Sequence, residues 1–137
     1  MSGTFSGVNT LQFSPDNKHA YAYSGMIAVT SAEVTTMEFT TGSYYLVGVF
    51  QPQYFSDNND VYLHTVKFDG FSVIGFEFNG SNNADGAIPR PLIIPPFTTV
   101  TFLAKNTTDS TSNNIGSNFT GEVKGTVEQF DLELKSE

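Results

Sequence analysis

The chain has 137 residues, a formal net charge of −8, no cysteine and no tryptophan. That length suits one domain, and the lack of cysteine excludes a disulfide scaffold, a thiolate zinc site and a cysteine nucleophile. Fourteen Asp and Glu stand against six Lys and Arg, with no basic cluster to meet phosphates or anionic headgroups, so neither nucleic acid nor a membrane surface is an expected partner.

Residues 1–18, MSGTFSGVNTLQFSPDNK, are rich in Gly, Ser, Thr and Asn, with isolated apolar points at Phe5, Val8, Leu11 and Phe13. No basic start and no apolar block mark a targeting peptide. The segment reads as an extended N-terminal arm ahead of a single domain over 19–137. From His19 onward the chain is a string of short strand candidates separated by turn chemistry. HAYAYSG and MIAVTS are broken at Gly25, and EVTTMEFT ends at the turn Thr41–Ser43. YYLVGVFQ is apolar on both alternation phases, the pattern of a strand covered on both faces. QPQYFSDNN reads as a loop before DVYLHTVKF. Asp69-Gly70 then stands between two β-type runs, the strongest short-range hairpin signal, and FSVIGFEF returns.

NGSNNADGAIPR reads as a loop and PLIIPPFTTVTFLAK as one further strand, its prolines at 91, 95 and 96 marking an edge or a bend. The polar stretch NTTDSTSNNIGSN reads as a loop. FTGEVKGTVEQFDLELK closes the chain, its apolar phase shifting in a way that suggests a bulge near Glu128. A strand is preferred there, although Val123, Val127, Phe130 and Leu134 also fit helical spacing. Val, Ile, Thr, Phe and Tyr outnumber the strong helix formers by 52 to 34, which favours strands. The expected fold is therefore all-β: a single β-sandwich, with a jelly roll of about eight antiparallel strands the leading topology and an immunoglobulin-like sandwich the alternative.

Residue types suited to chemistry are scarce. His64, between Tyr62 and Val66 on one strand face, reads as a core histidine, and His19 as a solvated turn residue; no His-x-His pair exists for a metal. The SDNND loop offers Asp57 and Asp60 to a hard cation, but turn formation explains these residues better. NNADG fails as a calcium loop because the position that needs Glu falls on Leu92. Neither a nucleophile elbow nor a phosphate-cradling glycine loop is present. Glu33, Glu38 and Glu77 lie on strand candidates, yet there are few cationic groups to tune a carboxylate pair. The sequons at Asn79, Asn106 and Asn118 are no more than an Asn- and Thr-rich chain supplies by chance. The reading is of no enzyme, no cofactor and no metal.

Aromatic surface remains. Nineteen Phe and Tyr exceed what one sandwich core needs. Phe5, Leu11 and Phe13 in the arm, with Tyr54 and Phe55 in a polar loop, are the candidate partner-interface residues. DNKHAYAYSGMIAV and LIIPPFTTVTFLAKN, within a similarity spanning most of residues 16–104, resemble small all-β virion proteins of tailed phages, notably phages of marine bacteria. The resemblance implies a capsid decoration or cement protein in the virion, often a homotrimer. It further implies no active site, an arm clamping neighbouring subunits, and the major capsid protein as partner. The competing reading from the residues is a carbohydrate- or receptor-binding sandwich, with a sandwich enzyme a remote third.

Overall fold

The computed structural model describes residues 11–54, 60–79, 89–108 and 110–125. These form ten strands and no helix: β1 (Gln12–Phe13), β2 (His19–Tyr23), β3 (Ile27–Val29), β4 (Val34–Thr40), β5 (Tyr45–Tyr54), β6 (Val61–Phe68), β7 (Phe71–Asn79), β8 (Arg90–Ile94), β9 (Thr99–Asn106) and β10 (Asn113–Lys124). One sheet has the order β1-β2-β10-β5-β8, with β3 continuing alongside β10 where β2 ends; the other has the order β4-β9-β6-β7. All pairings are antiparallel, and the two sheets stack as a sandwich.

The strand order follows from folding the chain in half. Asp69 and Gly70 take φ of 52° and 88°, the pair of left-handed residues that a two-residue hairpin turn with native twist requires. Phe68 then faces Phe71, and strands at matching distances from this turn pair with one another. These couples are β6 with β7, β5 with β8, β4 with β9, and β2 and β3 with β10. Rolling the long ribbon joins β10 to β5 and β9 to β6 and produces two layers.

Several sequence boundaries move. PLIIPPFTTVTFLAK is two strands in different sheets, because Pro95 and Pro96 stop β8 and the chain crosses the sandwich before β9 begins. Pro91 lies on β8, an edge strand, where a missing N–H is tolerated. The polar stretch expected as a loop through Asn118 becomes strand from Asn113, because Ile115, Ser117 and Phe119 alternate inward between two partner strands. The segment read as loop from Gln51 continues β5 to Tyr54. At Pro52 the strand has lost β8, whose pairing ends at Phe50, and bonds to β10 alone. On the doubly apolar β5, Leu46 and Phe50 enter the core and Tyr45 is buried, but Val47 and Val49 are only half-buried. The proposed bulge at Glu128 and the strand-or-helix question beyond Lys124 fall outside the described residues.

The core lies between the sheets. Phe50 and Phe102 meet at 5.0 Å between ring centroids, and Phe39 lies 5.9 Å from both Phe102 and Phe119. Ile27, Val29, Tyr62, Ala104 and Ile115 form a second cluster. Gly48 and Gly121 face one another in register, and a Cβ on Gly48 would run into the Thr120 carbonyl. The Thr36 hydroxyl lies 2.9 Å from that of Ser117 and donates to the Phe102 carbonyl at 3.1 Å. These polar groups bridge the two sheets with their hydrogen bonds made, as burial demands.

Candidate functional site

One end of the sandwich gathers four turns: Ser14–Lys18, Thr41–Tyr44, Asp69–Gly70 and Pro95–Thr98. Hydrogen bonds from Thr41 and Asp69 tie the last three together. Thr41 Oγ1 donates to the Pro95 carbonyl at 2.7 Å and accepts from the Thr98 backbone N–H at 2.9 Å. The Thr41 N–H donates to the Thr98 carbonyl at 2.9 Å, and the Phe97 N–H donates to the Gly42 carbonyl at 2.8 Å. Asp69 joins them: its N–H donates to the Thr99 carbonyl, and its Oδ1 accepts from the Thr99 N–H at 2.9 Å.

This clamp holds Phe97 at φ 53° with 67% of its surface exposed. A left-handed conformation costs a residue with a Cβ about 1 kcal/mol, and bulky residues rarely adopt it. An exposed phenyl ring on a strained backbone is unfavourable twice over for an isolated domain. Phe71, first residue after the Asp69–Gly70 turn, is 77% exposed at the same end. Phe13 is 37% exposed there, its ring edge-on to Tyr44 at 5.5 Å.

The sequence candidates fare differently. Leu11 is 8% exposed and packs into the core, and Gln12 and Phe13 pair with β2, so residues 11–13 are part of the sandwich. Tyr54 ends β5 opposite Ile115. Phe5 and Phe55, and the side chain of Tyr54, lie outside the described residues. Phe97 and Phe71 are not among the sequence candidates. Phe97 directly follows Pro95-Pro96 between two strands, and that position is the signal that marks a turn tip.

His64 sits wholly buried on β6, its ring stacked on Phe76 at 5.4 Å and 18° and 6.2 Å from Phe50. The Arg90 guanidinium lies 4.1 Å from the centre of the same Phe76 ring. Burial, with the Arg90 charge second, pushes the imidazole down to about 3. It is a neutral core residue, as its strand neighbours suggested. His19 is exposed at the end of the Ser14–Lys18 turn. Within that turn the Asp16 carboxylate accepts from the Ser14 hydroxyl at 2.7 Å and the Lys18 N–H at 3.1 Å. Those bonds hold it below the usual carboxylate range, the hydroxyl first.

Glu38 and Glu77 stand on opposite edge strands of one sheet, three strand spacings apart. At roughly 4.8 Å per spacing they are too far apart for a glycosidase pair, which needs about 5–9.5 Å. Asp60 Oδ2 accepts from Asn106 Nδ2 at 2.9 Å and Asn113 Nδ2 at 3.1 Å. Its role is to tie the loop after β9 to the start of β6; Asp57 is outside the described residues. Among the described residues no three His, Asp or Glu side chains gather as a metal site would require. Asn106 is 2% exposed, with its amide donating to Asp60 and to the Thr111 carbonyl.

A second surface lies on the outer face of β2 and β10. Tyr21 and Tyr23 point outward with centroids 5.5 Å apart, beside His19, Thr120 and Glu122. Together they line a shallow concavity of about 300 Å³.

No family model matches the chain, and no curated protein sequence matches it. The class stands on geometry: an all-β sandwich with Phe13, Phe71 and Phe97 exposed at one end, Phe97 on a left-handed backbone.

Proposed function

We propose that the chain is a structural protein of a virion, a capsid decoration or cement subunit that binds the major capsid protein and copies of itself. The observation that carries this reading is Phe97, held exposed in a left-handed conformation beside Phe71 and the Phe13–Tyr44 pair. Strain maintained at a surface position points to function there, and apolar rings on a neutral polar surface suit a protein interface. The half-folded strand order supports a jelly roll over an immunoglobulin-like sandwich. The leading strands β2 and β3 lie beside the last, β10, and β5 lies beside β8, in the manner of two nested Greek keys. Jelly rolls serve in viral capsids and in lectins alike, so this support is by analogy of fold.

Co-sedimentation with shells of the major capsid protein encoded alongside this chain tests the reading. The wild-type protein is expected to pellet with the shells, and Phe97→Lys to lose binding while keeping its circular dichroism spectrum. Failure of the wild-type chain to bind, or full binding by the variant, sinks the assignment of this surface.

The second reading, a carbohydrate-binding module, draws on the Tyr21–Tyr23 concavity with its flanking Thr120 and Glu122. Paired rings offer apolar faces to a pyranose, and the polar neighbours can bond its hydroxyls. A glycan array that lights up for wild type and goes blank for Tyr21→Ala/Tyr23→Ala would move weight to this reading.

A further inference from the structure

We propose that the outward face of the larger sheet, around Tyr45, Val47 and Val49 on β5, is the docking surface for residues 126–137 of the same chain. Such a strap closes one sheet face to partners and leaves the Phe97 end open, whether or not the virion reading holds.

β5 is apolar on both alternation phases, and the sandwich interior accounts for one of them. Leu46 and Phe50 point into the core, so Tyr45, Val47 and Val49 point outward. A strand apolar on both faces is ordinarily covered on both. Tyr45 has 2% of its surface exposed and belongs to neither core cluster. Tyr23, on the outward face of β2 in the same sheet, has 48% exposed. A bare sheet face leaves a tyrosine as open as Tyr23, so the Tyr45 ring is under cover. Val47, Val49 and Ile93 on that face are half-buried, Val47 lying opposite Ile93. Lys124 stands opposite Tyr45, but its ammonium reaches along β10 to Glu122 at 3.1 Å.

The course of the chain names the cover. β10 ends at Lys124, directly across from Tyr45, so residues 126–137 begin two positions beyond the residue that faces this ring. Their sequence, TVEQFDLELKSE, contains Val127, Phe130, Leu132 and Leu134, enough apolar side chains to cover Tyr45, Val47 and Val49. The other segments adjoin the sandwich farther away. Residues 80–88 lead to Arg90, which pairs with Phe50, about 17 Å along β5 from Tyr45. Residues 55–59 follow Tyr54 at the far end of the same strand. Residues 1–10 lead to β1, which β2 and β10 separate from β5 by about 14 Å.

Charge agrees with this occupant. The segment has four carboxylates, on Glu128, Asp131, Glu133 and Glu137, and one cation, Lys135. Lys124 and Lys18 stand at the end of β10, since the Lys18 carbonyl accepts from the Val123 N–H at 2.8 Å. They are two of the five cations in the rest of the chain. Their attraction for an acidic segment is screened by salt, and burial of apolar surface holds the segment when it is. With residues 126–137 seated, the apolar face of β5 is taken up within the chain. The exposed rings of Phe97, Phe71 and Phe13 are then what the sandwich offers to a partner.

Tyrosine nitration of the full chain, read residue by residue by mass spectrometry, tests the proposal. In wild type Tyr23 is expected to react, and Tyr45 to react at least about tenfold more slowly, because reagent reaches it only when the segment lifts. In Phe130→Asp/Leu134→Asp, Tyr45 should approach the rate of Tyr23. Tyr62, fully buried between the sheets, should stay protected and so report that the sandwich is folded. Tyr45 reactive in wild type, or still protected in that variant, overturns the proposal. Should the variant unfold, a cross-link decides. The chain has no cysteine, so Val47→Cys/Phe130→Cys offers a short bismaleimide one pair of thiols. Glu77→Cys/Phe130→Cys, with Glu77 exposed on the other sheet, is the control. Bridging within one chain at 47 and not at 77 is expected. No bridge at 47, an equal yield at 77, or a bridge only between two chains overturns the assignment, the last by giving the face to a second copy. The shell-binding assay remains a separate test of the virion reading.

Discussion

Acid should unfold this protein through His64. The side chain is fully buried against Phe76 and Phe50, and burial first and Arg90 second depress it to about 3 from the usual 6.5. The unfolded chain therefore binds the proton more tightly than the folded one. The resulting stability is complete above pH 6.5 and is lost as pH falls toward 3. Each pH unit in that window is worth at most about 1.4 kcal/mol. The loss is then about 2 kcal/mol at pH 5 and approaches about 5 kcal/mol at pH 3, against a total of roughly 5–15 kcal/mol for an ordinary domain. Carboxylates titrate in the lower part of the window too, so the informative quantity is a difference between two proteins. His64→Phe keeps an aromatic ring on Phe76 and removes the proton site. Urea unfolding followed by far-ultraviolet circular dichroism at pH 7, 6, 5 and 4 gives both stability curves. Overpacking by the larger ring shifts the variant's curve by a constant, but the slopes are expected to diverge below pH 6.5, wild type falling faster. Parallel curves would refute the reasoning and mean that the imidazole is protonated or solvated in the folded state.

Four further outcomes follow from particular positions. Gly48→Ala should cost about 3 kcal/mol, the upper range for forcing atoms into a packed site, because its Cβ meets the Thr120 carbonyl and Gly121 Cα. Gly75→Ala, with nothing closer than 3.9 Å, should be neutral or stabilising in the same urea titration. Phe97→Gly should stabilise the domain by roughly 0.5–1 kcal/mol, as relief of the left-handed strain outweighs the added freedom of the unfolded chain; calorimetry showing a lower midpoint would mean that the ring packs inward. Asn106→Ala removes the buried amide that donates to Asp60 and to the Thr111 carbonyl and whose oxygen accepts from the Thr108 N–H. A loss of about 2–3 kcal/mol is expected, with faster hydrogen exchange at Thr108 as its local signature.

The fold-in-half connectivity separates two kinds of surface. Turns between strands that change sheets gather at the ends, where Thr41, Thr98 and Asp69 fasten them and leave Phe97 and Phe71 outward. The edges are set by which strands happen to be outermost, and β7 is outermost because it lies next to the central turn and its partner β6 continues to β9. A chain with few charged residues, rich in hydroxyls and amides, has few side chains to blunt either surface. The acidic excess opposes contact between copies only through a repulsion that salt screens.

The amino-acid sequence by itself determined the all-β class, the hairpin at Asp69-Gly70 and the core role of His64. Each rests on a local signal: β-branched and aromatic alternation, a turn dipeptide, an imidazole between two apolar neighbours on one strand face. Local signals do not carry pairing partners. Ser117, on a stretch that reads as polar loop, becomes core because Thr36 waits across the sandwich to bond its hydroxyl. Asp60, legible as a cation ligand, is taken up by Asn106 and Asn113, which lie far along the chain. Leu11, legible as an arm contact, is drawn into the core when β1 joins β2. Phe97 looks like one more strand aromatic until Pro95-Pro96 and the Thr41 clamp turn it outward. Only the tertiary structure decided these, because burial and exposure are properties of what the folded chain brings alongside a residue, and the nearest neighbours in sequence cannot supply them.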